Sequence, residues 1–161
     1  MQQKVYFEDL GVKSYQPTWD YQKILLAKNT QIKSIAREKG ENVMDSITEH
    51  RFLMVEHTPV FTLGKNGKRE HVLVSEEQLQ KLGIEFFHIN RGGDITYHGL
   101  QQIVGYPILD LDKFKTDLGW YLRSLEQVII DTIAEYGLKG ERSSGETGVW
   151  LAPENPFMAR K

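Results

Sequence analysis

The stretch RGGDITYHG, residues 91–99, combines residue types that can bind an anion and move a proton. Its adjacent glycines leave backbone N–H groups unshielded by side chains, so a ligand carbonyl or carboxylate can approach the main chain. Read with the two-residue period of a strand, Ile95 and Tyr97 point to a face that we interpret as core. The alternate residues form a polar face: Asp94, Thr96 and His98. A histidine there can exchange protons near neutral pH, so this face is the first candidate site; a plain turn with a surface histidine is the alternative.

A second candidate is the segment EHTPVFTLG, in which Glu56 and His57 directly follow a short apolar run. Loops that follow buried strands often carry functional residues. With His98 these side chains would supply three metal ligands, but nothing in their spacing matches a metal-binding pattern, so we expect no metal site. The sequence also lacks a P-loop, a Rossmann glycine pattern and a nucleophile elbow, which removes the usual support for nucleotide binding and serine hydrolysis.

The composition predicts one globular domain, residues 1–161, with a formal net charge of −2. That charge gives no reason to expect a nucleic acid or an anionic membrane as a partner. Because the chain lacks both a stretch of roughly 20 apolar residues and a signal peptide, we expect a cytoplasmic protein. It contains no cysteine, which excludes a disulfide or a thiolate metal site within it. The basic segment GKNGKRE, with Lys65, Lys68 and Arg69, is interpreted as a solvated loop, and docking of an acidic partner is the alternative.

Helices and strands must position these candidates. A first helix is predicted over residues 16–40, with one face formed by Tyr21, Leu25, Ile32 and Ile35. A short helix follows Ser75 and stops at Gly83. A third helix ends at Gly137 and has an apolar stripe made of Leu118, Leu122, Leu125, Ile129, Ile133 and Tyr136. Strands are predicted at RFLMV, VFTLG, IEFFHIN, QIVGYPILDL and TGVWL, with Pro107 at an edge or bulge. This mixture predicts an α+β fold, a mixed β-sheet with packed helices.

The motif RGGDITYHG, followed by Gln102 and Tyr106, resembles the signature of the octanoyltransferases of lipoate biosynthesis. Further matches are DLG near the start with Tyr15 and Trp19, then VEHTPVFTLG and TGVW, so the resemblance spans nearly the whole chain. It implies the mixed sheet-and-helix catalytic domain shared with biotin and lipoate protein ligases. One departure is clear: where the family reads HGPGQ, this chain reads HGLQQ at residues 98–102.

The resemblance implies transfer of an octanoyl or lipoyl group from acyl carrier protein to a lysine of a lipoyl domain. The expected partners are octanoyl-acyl carrier protein and the lipoyl domains of 2-oxoacid dehydrogenase E2 subunits and of the glycine cleavage H protein. The transfer uses no ATP and no cofactor, and passes through a cysteine thioester. By the same resemblance, the acyl pocket is lined by His57 and by Arg91, Gly92, Gly93, Asp94, Ile95, Thr96, Tyr97 and His98.

The family also uses a lysine, which matches Lys161, to hold its nucleophilic cysteine as the thiolate. The alternative for Lys161 is a frayed residue without a partner. The cysteine itself is absent, and neither Ser143 nor Ser144 has an identified base that would let it substitute, so we expect the chain as given to be inactive. We rank three interpretations: a truncated octanoyltransferase, then a non-catalytic acyl-binding fragment, and last an ATP-dependent lipoate-protein ligase.

Overall fold

The computed structural model describes residues 3–155 and 157–161, and its mixture of strands and helices confirms the α+β class. Contacts between Cα atoms divide the chain into two compact units, one ending at Asp110 and the other beginning at Leu111, and each is described by itself. The elements of the first unit are β1 Val5–Lys13, α1 Tyr15–Glu38, β2 His50–His57, β3 Val60–Leu63, α2 Glu76–Leu82, β4 Glu85–His88, β5 Ile95–His98 and β6 Ile103–Ile108. The elements of the second are α3 Leu118–Ala134, β7 Gly140–Glu141 and β8 Trp150–Leu151.

One sheet of the first unit has the order β1-β2-β6, with β1 parallel and β6 antiparallel to β2. Strand β1 was not predicted, although its apolar residues pair along β2. Alternate side chains of β2 are buried, as the predicted strand requires: Leu53 and His57 have no exposed surface and Val55 is 2% exposed. Pro107 lies in β6 at the edge of this sheet, where a missing N–H is tolerated, so that prediction is confirmed.

A second sheet has the order β4-β3-β5 and carries the RGGDITYH motif on its edge strand. Strand β3 pairs in parallel with β4 and antiparallel with β5, and its Val60 and Thr62 are completely buried. Val60 packs in a small core with Tyr15 and Ile89, to which Trp19 and Phe87 add partly buried rings. The helix that follows β1 therefore supplies aromatic cover to the sheet that bears the motif.

The buried stripe of α1 differs from the predicted face. Leu25 and Ile32 are half-buried as predicted, but Ile35 is 42% exposed, so its assignment to that face was wrong. The stripe instead passes through Asn29, whose amide bonds the backbone of Glu49 in both directions: Nδ2 donates to Glu49 O at 2.6 Å and Oδ1 accepts from Glu49 N at 3.0 Å. A buried asparagine used as a main-chain clamp is invisible to apolar periodicity.

The short helix α2 has the predicted ends. Ser75 accepts from the N–H of Gln78 while the Gln78 side chain accepts from the Ser75 N–H, a capping box that satisfies two free amides. Gly83 closes the helix with φ +65°.

In the second unit, α3 confirms the predicted long helix and part of its apolar stripe, because Leu122 and Ile133 are half-buried and Ile133 lies against Gly140 of β7. Ile129 is 50% exposed and Leu118 is 76% exposed, whereas the buried position on this helix is Glu126. An apolar pattern does not reveal that the buried residue of α3 is a carboxylate. Across residues 3–155 and 157–161, none of the helices has the length and apolar character needed to cross a membrane.

Candidate functional site

The pairing of β5 with β3 decides which way the motif residues point. Thr96 lies opposite Thr62 and His98 lies opposite Val60, and residues opposite each other in an antiparallel pair share a face. Since Thr62 and Val60 are completely buried, Thr96 and His98 of the polar face lie on the buried side of β3, whereas Asp94 precedes the strand. Tyr97 on the other face is 44% exposed and stacks 5.1 Å from the Phe61 ring, so our prediction that this face is core was wrong there.

Arg91 braces the turn that precedes β5. Its Nη1 donates to the Gly92 carbonyl at 2.9 Å. Its Nη2 donates to the Thr62 carbonyl at 2.8 Å, and to the hydroxyls of Thr62 and Thr96 at 3.0 and 2.9 Å. One planar guanidinium thus ties the glycine turn to two strands, a geometry that a lysine cannot reproduce.

The glycine turn is also seated against the loop that follows β3. Gly64 N donates to Asp94 O at 2.9 Å, Lys65 N to Arg91 O at 2.9 Å and Asn66 N to Gly93 O at 3.3 Å. These bonds occupy carbonyl groups of the turn. Among the described residues, the N–H groups of Gly92 and Gly93 make no hydrogen bond to a protein acceptor, and both glycines are exposed. Two backbone donors of the turn therefore have no acceptor among the described residues, and an oxyanion or carbonyl ligand requires donors of this kind.

The loop after β3 that contacts the glycine turn, here called the loop seat, contains three residues that the sequence reasoning missed: Gly64, Gly67 and His71. A Cβ on Gly64 would lie 2.5 Å from Gly93 O, and one on Gly67 would lie 2.8 Å from Asp94 Oδ1. His71 Nδ1 bonds Asp94 Oδ2 at 2.5 Å, so the Asp94 side chain faces the loop seat. The available signal was the pair of glycines inside the basic segment GKNGKRE.

His57 is a buried structural histidine with a defined tautomer. Its Nδ1 lies 3.0 Å from the Lys13 carbonyl, which can only accept, so Nδ1 carries the proton. Its Nε2 then accepts from the Tyr106 hydroxyl at 2.9 Å. Burial lowers the pKa of His57, while burial raises the pKa of Tyr106 to about 12, so both groups are neutral at physiological pH. With both ring nitrogens occupied, His57 shapes the wall behind the motif.

His98 lies beside this wall. Its ring centre is 5.8 Å from that of His57, and its Nδ1 bonds Gln102 Oε1 at 2.7 Å. Glu56 does not join the two histidines but accepts from the backbone N–H of Gln101 at 2.8 Å. Among the residues that the structure describes, no group of three or more His, Asp or Glu side chains could hold a metal ion.

The departure from the HGPGQ pattern places a residue other than glycine in a left-handed conformation. Gln101 stands where the family has its second glycine and still adopts φ +67°, a left-handed conformation that favours glycine. The bond from its N–H to the Glu56 carboxylate offsets part of that strain. Tyr15 completes the cluster, with its ring centre 5.3 Å from His57 and 5.1 Å from Phe87.

The first unit also contains a cavity of about 440 Å³ between α1 and the end of β6. Trp19, Leu26 and Pro107 give it apolar walls, and Lys33 and Asp110 lie at one side. No residue of the RGGDITYH motif lines this cavity. The predicted acyl pocket along the motif is therefore a different surface from this one.

In the second unit, Lys161 is held in place. Arg160 and Leu151 exchange backbone hydrogen bonds of 2.7 and 3.1 Å, which form an antiparallel bridge. The Lys161 Nζ lies 5.4 Å from the centre of the Trp150 ring, within cation–π range, and its stem passes close to Gly148. Lys161 thus contacts the TGVW segment, and the expectation that it has no partner was wrong.

Comparison with known proteins gives consistent matches. Residues 14–161 match the family described as the lipoyl protein ligase A/B catalytic domain. The octanoyltransferase of Christiangramia forsetii is 52% identical over the whole chain, and that of Flavobacterium psychrophilum is 53% identical. The chain covers 67% and 68% of these relatives, so it spans about two thirds of their length.

Solved structures agree on the fold. The lipoate complex of LipL1 from P. falciparum matches with a TM-score of 0.58 at 11% identity, over 88% of this chain and 39% of that one. A bi-partite lipoate protein ligase from Thermoplasma acidophilum matches with a TM-score of 0.55 at 14% identity, over 94% and 52% of the two chains. The chain belongs to the lipoyl protein ligase A/B catalytic-domain family, and the relatives that it matches along its whole length are octanoyltransferases.

Proposed function

We propose that this chain supplies the acyl-binding part of a single catalytic domain that transfers an octanoyl, or lipoyl, group to protein. The observation that carries the proposal is the glycine turn: Arg91 fixes it, while the Gly92 and Gly93 N–H groups make no bond to a described protein acceptor. Donors fixed in this way can bind an acyl carbonyl and stabilise the negative charge that develops on its oxygen. The aromatic face behind the turn suits the aliphatic part of the group.

The donor in this proposal is octanoyl-acyl carrier protein, and the acceptor is a lysine of a lipoyl domain, in E2 subunits or in the glycine cleavage H protein. We place the reaction in the cytoplasm and assign it no ATP. The motif residues from Arg91 to His98, with His57 as the wall, form the substrate site. The basic segment with Lys65 and Lys68 lies beside the turn through the Lys65 N to Arg91 O bond, and is where an acidic donor surface would meet it.

The nucleophile of the proposal is a cysteine outside these 161 residues, because the chain contains none. Its thiolate attacks the donor thioester and expels the carrier thiolate, which takes up a proton. The acceptor amine then attacks the new thioester, loses a proton as the amide forms, and expels the cysteine thiolate. Lys161 stabilises the thiolate, since a neighbouring ammonium lowers a thiol pKa. The 161 residues alone bind the acyl group but do not complete the transfer.

The absence of cysteine also favours a second candidate function, a non-catalytic acyl-binding module. An ATP-dependent ligase is the third, because the chain shares the fold of lipoate-protein ligase A bound with ATP, at a TM-score of 0.52. The three differ in whether the acyl group reaches a lipoyl domain and whether ATP is needed.

The test is an assay by mass spectrometry with octanoyl-acyl carrier protein and a lipoyl domain, with and without ATP. The natural protein should add one octanoyl group without ATP, and the 161-residue chain should bind octanoate analogues without transfer. Gly93→Val should abolish binding, because Gly93 has φ +81° and a Cβ there meets Arg91 Nη1 at 3.2 Å. Gly40→Val, at a glycine outside the motif with φ +71° and nothing within 4 Å, is the matched control. Transfer only with ATP would favour the ligase, and unchanged binding by Gly93→Val would refute the site.

A further inference from the structure

We infer that Glu126 is a positioning residue for Lys161, because its buried carboxylate fixes the backbone of Gly148, against which the Lys161 stem lies. The inference rests on the role proposed above for Lys161 in stabilising the thiolate. It concerns residues of the second unit alone, and each link in it is a contact within that unit.

Glu126 is an unusual residue for the middle of a packed helix. It lies within α3 and is 3% exposed, yet it carries no role in the substrate site. Its Oε2 accepts from Arg123 Nη1 at 2.6 Å and from Arg142 Nε at 3.0 Å. Two guanidinium groups thus balance the charge, so Glu126 is not available as an acid or base.

The other carboxylate oxygen performs a different task. Glu126 Oε1 accepts from the backbone N–H of Gly148 at 2.8 Å. That bond is the first cause of the lowered pKa of Glu126, ahead of its arginine partners, so it favours the ionised carboxylate. The loop before β8 is therefore fastened to α3 through its main chain, not through a side chain.

Gly148 transmits this position to Lys161. Its φ is +97°, and a Cβ built on it would lie 2.9 Å from Lys161 Cε. The lysine stem therefore runs across the bare α-carbon, and its Nζ ends 5.4 Å from the Trp150 ring centre. The bridge between Leu151 and Arg160 aligns the two segments. If Gly148 moved, the Lys161 stem would lose its contact with the Gly148 α-carbon.

Arg142, which bonds the Glu126 carboxylate, also bonds two other residues of α3. Its Nη2 donates to the Arg123 carbonyl and to Gln127 Oε1, each at 3.0 Å. The segment after β7 and the segment before β8 are thus both tied to one turn of α3. If Glu126 only stabilised the fold, replacing it would not change the position of the Lys161 side chain. The measurement that separates the two roles must therefore report where this side chain lies.

The test uses NMR of the chain with ¹³C-labelled lysine, in which the Trp150 ring current shifts the Lys161 ε-methylene signal upfield. In Glu126→Gln we expect this shift to fall to less than half of its original size, with Trp150→Leu as the zero reference. Asp131→Asn on the same helix, an exposed residue bonded to Gln127, is the matched charge control and should leave the shift unchanged. An unchanged shift in folded Glu126→Gln overturns the inference.

Three further measurements make the outcome decisive. If Glu126→Gln does not fold, Gly148→Ala tests the contact between Gly148 and the Lys161 stem. The added Cβ must displace Lys161 Cε, so an unchanged ring-current shift again overturns the inference. In the natural protein, the pH midpoint for alkylation of the proposed cysteine should move upward in Glu126→Gln and not in Asp131→Asn. The ring-current shift could be lost in Glu126→Gln while Lys161→Met keeps full transfer activity. This result would refute the proposed function and still leave Glu126 as the positioning residue for Lys161.

Discussion

Replacing Gly64 by alanine should disrupt the glycine turn from a distance. The added Cβ would lie 2.5 Å from Gly93 O, 2.9 Å from Gly92 O and 3.1 Å from Arg91 O. All three are backbone atoms that cannot rotate away, so the two loops must separate by roughly 0.9 Å to reach ordinary contact. The bonds from Gly64 N and Lys65 N, now 2.9 Å, would then exceed hydrogen-bonding distance.

The expected cost follows from these contacts. Overpacking of this kind costs about 1–3 kcal/mol, and each lost hydrogen bond adds roughly 0.5–1.5 kcal/mol. Since separation relieves the overpacking as it breaks the bonds, the two effects overlap, and we expect a loss of about 2–3 kcal/mol. In a chain of this size, 1 kcal/mol corresponds to about 2–4 °C in Tm.

The assay is urea denaturation of Gly64→Ala beside Gly92→Ala, which adds the same methyl group to the partner loop where nothing lies within 4 Å. Amide hydrogen exchange should locate the loss of protection at Lys65 and Asn66. Octanoate analogues should bind Gly64→Ala at least tenfold more weakly. A Gly64→Ala variant with the stability of Gly92→Ala and with binding equal to that of the unaltered chain would refute the argument that the loop seat fixes the turn.

Three other outcomes are expected. Burial lowers the pKa of His57, so below about pH 6.5 the unfolded chain binds a proton at this residue that the folded chain does not bind. The free energy of unfolding should therefore fall as the pH drops from about 6.5 toward the lowered pKa. Urea midpoints measured across this range should depend less steeply on pH in His57→Asn. Arg91→Lys should lose about 1–3 kcal/mol by thermal denaturation, since a lysine cannot reach both Thr62 and Thr96. Arg37→Lys, at an exposed position in the last turn of α1, should stay within about 0.5 kcal/mol. Gln101→Gly should gain up to about 1 kcal/mol in urea denaturation, because relief of the left-handed strain exceeds the added unfolded-state entropy; a loss of stability would contradict this reasoning.

Local signals in the sequence were sufficient wherever the determining contacts lie within a few residues. The capping box at Ser75 and the left-handed Gly83 define α2 through neighbouring backbone groups, and both ends were predicted. The two-residue alternation of the motif was also local, and β5 has it. Local signals did not show which of the two faces of β5 is buried. That depends on which face of β3 is covered by the aromatic residues Tyr15 and Trp19.

Buried polar residues were the main source of error in the helices. Apolar periodicity assigned Ile35 to the buried face of α1 and a stripe of aliphatic residues to the buried face of α3. The structure instead buries Asn29 and Glu126, which bond backbone groups of distant segments. A polar residue can be buried where its partners satisfy it, and those partners are known only once the chain has folded.

The sequence by itself determined the family, the α+β class and the identity of the glycine turn, because these follow from residue types at short spacing. Only the tertiary structure decided how that turn is held. Gly64 meets it through a loop that precedes it by many residues, and Lys161 reaches Glu126 through Gly148. Such contacts depend on atomic distances between separate elements, and no local pattern of side chains encodes them.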